Sequence, residues 1–290
     1  FLMIRRPPRS TLDRSSAASD VYKRQGYGSA NVMHLMIEAE RRAYADRAEH
    51  LGDPDFYPVP VGELVDKDYA RNRFGGFDPD QAGKSADVDA GAFAPESTET
   101  THLSIMDRNG NAVALTTTLN SGYGSHIVVE GAGFLLNNEM DDFSSKPNTL
   151  NQFNLIGREA NAIEPRKRML SSMTPTIVLQ EGKPLLVTGS PGGSTIITTV
   201  LQVVVNVIDH GMALSAAVSS PRFHHQWIPD SITVEADSFS ADTLDALRTK
   251  GHSDIRPARY GLGDANSVMR VNGVLHGVED PRTQGGAAGY

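Results

Sequence analysis

The run from Ser194 to Asp209, STIITTVLQVVVNVID, constrains the chain most. It is apolar almost all round, long enough for a helix, and closed by Gly211. A helix without a polar face must be covered on every side, so the run predicts a buried helix with layers packed around it. No apolar run approaches the length of about 18 residues that a membrane span needs.

The rest of the pattern supplies those layers. Thr101 to Asp107 and Ala112 to Asn120 read as two strands around Asn109-Gly110, a hairpin signal. Thr176 to Leu179 and Leu185 to Val187 pair around Gly182, and Ala265 to Val271 and Val274 to Val278 flank Asn272-Gly273. Val32, Leu35, Met36, Ala39 and Ala43 recur at helical spacing until Gly52 and Pro54, and Asp242 to Lys250 forms an amphipathic helix. Residues 53 to 99, rich in Asp, Gly, Pro and Ala, read as a long irregular connection. Hairpins with buried helices give an α+β class, antiparallel sheet layered with helices.

Composition removes several functions. With 27 basic and 35 acidic side chains the net charge is −8, against a nucleic-acid binder that relies on bulk charge. Cysteine is absent, which excludes disulfides, thiolate metal sites and a cysteine nucleophile. Gly83-Lys84-Ser85 resembles the end of a phosphate-binding loop, but Asp78 stands where that loop needs its first glycine. His224-His225 reads as a packed pair, because neighbours on a strand point to opposite faces. Asp78, Asp80, Asp87 and Asp89 read as a solvated acidic loop. No metal site is expected.

Residues 1 to 25 stand apart. Arg5, Arg6, Arg9, Arg14, Lys23 and Arg24 face only Asp13 and Asp20, with no helical or strand period. A transit peptide would share the Arg- and Ser-rich character. The wording reads instead as non-native, translated adapter sequence, and the fold is expected to start at Gly26.

Chemistry enters with Glu99-Thr100-Thr101-His102, followed by Asn137-Asn138-Glu139-Met140-Asp141-Asp142-Phe143, Leu170-Ser171-Ser172-Met173 and Thr188-Gly189-Ser190-Pro191-Gly192-Gly193-Ser194. With Gly26-Tyr27-Gly28-Ser29-Ala30, Leu51-Gly52-Asp53-Pro54-Asp55-Phe56 and Pro221-Arg222-Phe223-His224-His225-Gln226-Trp227, the order from Gly26 to Tyr290 resembles the C-terminal part of a γ-glutamyltranspeptidase (glutathione hydrolase). The resemblance implies an N-terminal-nucleophile hydrolase fold, a four-layer αββα sandwich that is incomplete here because the early large subunit lies outside the sequence. It implies self-cleavage between Glu99 and Thr100, with residues 26–99 as the tail of the large subunit and 100–290 as the small catalytic subunit of a heterodimer.

The same resemblance assigns roles. A threonine at a chain start has its own α-amine, with a pKa of about 8, as the nearby base, so cleavage would switch Thr100 on as nucleophile. Thr118 would partner the Thr100 amine, and Asn120, two residues on and read as sharing the strand face of Thr116, would help bind substrate. Gly192 and Gly193, just before the buried helix, would hold an oxyanion on their N–H groups. Ser171 and Ser172 would donate to the α-carboxylate of a γ-glutamyl group, and Glu139 and Asp142 would hold its α-ammonium. From the residues alone, Glu139 to Asp142 also reads as a solvated acidic turn. The implied reaction passes the γ-glutamyl group of glutathione and related small molecules to Thr100, then to water, an amino acid or a peptide. It calls for no metal or organic cofactor, and export to the periplasm or outside the cell is expected.

Three departures from the family pattern accompany this. The carboxylate-binding arginine of the early large subunit lies outside the sequence, Phe153 stands in the lid stretch Pro147 to Arg158 where some members have tyrosine, and Glu99 precedes the expected cut. Two rival readings are a cephalosporin or glutaryl acylase of the same superfamily and a non-catalytic protein on this fold.

Overall fold

The computed structural model describes residues 26–88, 100–144, 146, 149–152 and 155–289. The expectations for residues 1–25, Glu99 and Phe153 fall outside these described residues. Helix α1 (Ala30–His50) leads, capped by Ser29, whose Oγ accepts from Val32 N. Two short helices follow, α2 (Val61–Leu64) and α3 (Lys67–Arg73), then a 3₁₀ turn at Ser85–Asp87. The 53–99 stretch is therefore less irregular than its composition suggests. Asp66 starts α3 by accepting from the N–H groups of Asp68 and Tyr69, and no α3 side chain is buried, so there was no apolar period to read.

Strands β1 (Thr100–Met106) and β2 (Ala112–Thr118) form the first hairpin. Four two-residue strands follow: β3 (Val128–Val129), β4 (Phe134–Leu135), β5 (Thr149–Leu150) and β6 (Ile156–Gly157). Next come β7 (Thr176–Gln180), β8 (Lys183–Thr188), α4 (Thr195–Ile208), α5 (Leu214–Ser219), β9 (Phe223–His224) and β10 (Ile232–Val234). The series ends with α6 (Ala241–Thr249), β11 (Ile255–Pro257), β12 (Ser267–Val271) and β13 (Val274–Val278).

The main sheet runs β13-β12-β8-β7 and is antiparallel throughout. On one face Val178, Leu186 and Ala265 pack against Val203 and Val207 of α4 and Leu214, Ala217 and Val218 of α5. This confirms the buried helix, although Leu201 reaches solvent. The β1–β2 hairpin lies against the other face, where His102 meets Gly189 at the end of β8. These elements make a helix–sheet–sheet stack. The outer face of the hairpin pairs Leu103 with Leu115 and Ile105 with Val113, and all four are about half exposed. A helical layer over that face would complete four layers.

A second core joins α1 to the small sheet β11-β10-β9 and α6 through Met33, Ile37, Phe223, Ile232 and Leu247. Alpha-1 buries residues all round, including Glu38, Glu40, Arg41 and Arg47, so its amphipathicity is weak. Among the described residues no helix is long and apolar enough to cross a membrane.

Candidate active site

Thr100 opens β1, and its cross-strand partner is Thr118, the last residue of β2. Strand alternation puts Thr100, His102, Thr116 and Thr118 on the inward face. Thr100 Oγ1 donates to Thr118 Oγ1 at 3.3 Å, and Thr118 Oγ1 accepts from Asn120 N at 2.8 Å. The two hydroxyls therefore meet across the hairpin, while the expected bond from Thr118 to the Thr100 amine belongs to a cleaved chain.

His102 is held between Thr116 Oγ1 (2.8 Å) and Ser104 Oγ (2.9 Å), and burial pushes its pKa down to about 4. A Cβ on Gly189 would stand 2.1 Å from this ring, so glycine is what lets the end of β8 approach the start of β1. The loop after Gly189 carries the glycine pair. Gly192 sits at φ 134° and Gly193 at φ 57°, both in the left-handed half of the map. The Gly192 carbonyl accepts from Thr195 N and Thr195 Oγ1, and the Gly193 carbonyl from Ile196 N. Because a trans peptide points its N–H opposite its carbonyl, the Gly193 N–H faces away from the first turn of α4. The Pro191 carbonyl accepts from Ser190 Oγ, which turns the Gly192 N–H the other way in the same manner. The two N–H groups thus point away from Thr195 and from the Ser190 hydroxyl.

Asn120 corrects one expectation. Beta-2 ends at Thr118, and Asn120 has φ 75°, so it leaves the ladder instead of continuing its alternation. It is buried, with its side-chain amide donating to the Asn138 carbonyl. Asn138 also accepts from Ser121 N, which ties the end of β2 to the acidic turn. That turn is a 3₁₀ segment, Glu139–Asp142. It is not the solvated loop that its composition allows: both Glu139 carboxyl oxygens are buried, without an N–H or hydroxyl donor among the described residues. Burial raises the Glu139 pKa. Burial and the neighbouring Glu139 carboxylate push Asp142 up to about 7, while Arg47 opposes that rise.

The serine pair completes the arrangement. Ser171 Oγ accepts from Met173 N at 3.0 Å, and Ser172 Oγ accepts from Arg47 Nη2 at 3.0 Å. Each hydroxyl oxygen is engaged as an acceptor, so each keeps its own proton to donate. An O–H donor suits an anion, and Ser172 presents its own beside the Arg47 guanidinium. Arg47 also faces Asp142 electrostatically, and it thereby links the serines to the acids.

Sequence reasoning missed Arg47 and Tyr44. Tyr44 OH donates to the Ser194 carbonyl at 2.6 Å, next to the glycine pair. The signal was present as polar residues one turn apart on an otherwise buried helix. The decoys resolve as packing. His224 bonds Thr198 and Gln226, while His225 bonds Trp227 N and Asp230. Gly83 N and Ser85 N donate to Glu38 and Asp230, so acids fill the place a phosphate would need. His34, Glu38 and His252 bring ligand-type atoms within 4.8 Å of one another. Their atoms are already committed, to the His34–His252 bond, the Asp78 carbonyl, and Arg41 and Arg42 on Glu38. Two guanidinium groups on its only carboxylate make this cluster a poor cation site.

The chain is similar to known proteins over most of its length. A family model described as "Gamma-glutamyltranspeptidase" matches residues 15–290, starting inside the 1–25 stretch. The chain is 51% identical over 263 residues to a glutathione hydrolase proenzyme of Escherichia coli (strain K12), covering 90% of this chain and 45% of the relative. It therefore spans about half the length of that relative. The structure resembles the Helicobacter pylori γ-glutamyltranspeptidase T380A mutant, with TM-score 0.61 and 53% identity over 63% of this chain and 100% of the other. It also resembles the cephalosporin acylase of Bacillus halodurans, with TM-score 0.76 and 25% identity over 94% of this chain and 47% of the other.

Proposed function

Since the chain belongs to the γ-glutamyltranspeptidase family and has its N-terminal-nucleophile fold, we propose that it carries the nucleophile and head-group site of a γ-glutamyl-transferring enzyme. The precursor cleaves itself before Thr100, which frees an α-amine to act as base for the Thr100 hydroxyl. Residues 26–99 then belong to the large subunit and 100–290 to the small one. Thr100 Oγ1 attacks the γ-amide carbonyl of glutathione or another γ-glutamyl compound, and Thr118 orients it. The oxyanion sits on the N–H groups of Gly192 and Gly193. The amine leaves with a proton, a γ-glutamyl ester remains on Thr100, and water, an amino acid or a peptide releases it.

The observation that carries this reading is the meeting of Ser172 and the Glu139–Asp142 pair across Arg47. A hydroxyl donor bonded to Arg47 and a carboxyl within the field of the same guanidinium match the carboxylate and ammonium of an amino-acid head group. A glutaryl group has no ammonium for the acids to hold. The test is turnover of γ-glutamyl-p-nitroanilide against glutaryl-p-nitroanilide by the processed enzyme, made from a precursor that contains this chain. Preference for the glutaryl substrate would assign the site to an acylase. Processing to two subunits without turnover of either would leave a non-catalytic protein. By family resemblance the enzyme works in the periplasm or outside the cell, which cell fractionation checks.

A further inference from the structure

Arg47 is buried, and its guanidinium reaches Ser172 Oγ from helix α1, on the far side of the chain from the catalytic strands in sequence. Burial works against its charge, whereas Asp142 and Tyr44 favour it. A buried cation is costly unless something nearby uses it. Two neighbours do. Ser172 is fixed as an acceptor toward Arg47, so its proton points elsewhere. The Glu139–Asp142 pair, two carboxyls on one 3₁₀ turn with the Glu139 oxygens buried, gains a counter-charge.

We propose that Arg47 is a positioning residue for head-group recognition: it holds Ser172 in its donor orientation and sets a positive charge against the Glu139–Asp142 pair, so that the pocket presents a cation-backed end and an anionic end to a zwitterionic α-amino-acid group. This rests on the γ-glutamyl reading of the site. Arg47 itself need not touch substrate. Its charge acts on the carboxylate through the Ser172 hydroxyl and on the ammonium through Asp142.

The groups around Asp142 are Glu139 and Asp141 on its own turn, Arg47 on α1, and the side-chain amides of Asn151 and Asn161, which donate to its carboxyl and to its backbone carbonyl respectively. Arg47 is the cation among these groups. Removing it takes away the charge that favours ionised Asp142, so the acidic limb of 1/KM, which the Thr100 α-amine does not set, moves to higher pH.

The experiment compares Arg47→Met, Arg47→Lys and the unaltered enzyme, each processed, with γ-glutamyl-p-nitroanilide across pH 5 to 9. In Arg47→Met, KM rises about tenfold or more, as for loss of one charge-assisted contact, with kcat within about threefold, and the acidic limb shifts up by about one pH unit. Arg47→Lys keeps the charge but loses the planar fork, so KM rises less and the limb stays put. An unmoved limb in Arg47→Met, a moved limb in Arg47→Lys, or an unchanged KM in either would overturn the proposal. If Arg47→Met does not assemble, Arg47→Lys alone decides by the same two criteria. If the unaltered enzyme fails to turn over the γ-glutamyl anilide, the functional reading falls first, and the two failures are thereby told apart.

Discussion

The phenol of Tyr44 donates to the carbonyl of Ser194 at 2.6 Å, and Ser194 directly follows the Gly192–Gly193 pair. A helix that precedes Thr100 in sequence thus fixes the loop proposed to hold the oxyanion. Ser194 is held a second time, since its hydroxyl donates to Gln226 Oε1 at 2.6 Å, and Gln226 also bonds His224. The loop is clamped from two elements before substrate arrives, as preorganised stabilisation of a developing charge requires.

Tyr44→Phe removes this clamp with little change in volume. We expect a loss of stability of about 1 kcal/mol and a larger fall in kcat than rise in KM. Thermal unfolding and steady-state kinetics on the processed enzyme check both. A change confined to KM would detach Tyr44 from the oxyanion loop.

Thr100→Ala should leave the precursor as a single chain, because in the proposed mechanism one hydroxyl serves self-cleavage and catalysis. Thr100→Ser should still be cut. Denaturing gels and intact mass distinguish the outcomes, and two subunits from Thr100→Ala would move the nucleophile to another residue.

Asp142→Ala should raise KM for γ-glutamyl substrates by about ten- to a hundredfold. The substrate ammonium then loses a charge-assisted partner worth roughly 1.5–3 kcal/mol. An unchanged KM removes Asp142 from the head-group site.

The pH dependence follows from the same residue. Burial and Glu139 raise Asp142 to about 7, so it is protonated below that pH and charged above it. Ammonium binding needs the charged form, so KM should rise as pH drops through about 7, whereas protonation of the Thr100 α-amine, with a pKa of about 8, lowers kcat. His102, held near 4, stays neutral over this range. A KM flat from pH 8 to 5.5 would show that Asp142 ionisation does not govern binding.

Gly192→Ala should be severe. The residue sits at φ 134°, and a Cβ there would lie 2.5 Å from Thr195 Oγ1. Displacing the Gly192 and Gly193 N–H groups should lower kcat by about a hundredfold, in line with loss of an oxyanion donor. Stopped-flow measurement of acylation would show the loss. Acylation at the unaltered rate would take the glycine pair out of the reaction.

Much of this fold is legible in the sequence where the signal is periodic. The hairpins at Asn109-Gly110, Gly182 and Asn272-Gly273 form where the turn residues put them, and the apolar run becomes α4. What escaped has no period to show. Alpha-3 is exposed and held by its cap, β3 to β6 are two residues long, and Asn120 adopts a left-handed conformation that strand alternation does not foresee. The candidate site divides in the same way. Thr100, Gly192, Gly193, Ser171, Ser172, Glu139 and Asp142 lie in motifs that can be quoted from the sequence, and Thr118 follows from family position. Arg47 and Tyr44 lie far upstream, on a helix that buries charged residues on several faces, and only three-dimensional packing brings them to the serines and the glycine loop.

Among the described residues, the pairing of Thr100 with Thr118 is the outermost rung of the β1–β2 ladder. A break in the backbone just before Thr100, as proposed, would therefore separate two covalent neighbours and leave every described cross-strand pair of this hairpin in place. The precursor would change its chemistry at one atom, from amide nitrogen to free amine, while those seven rungs stay closed.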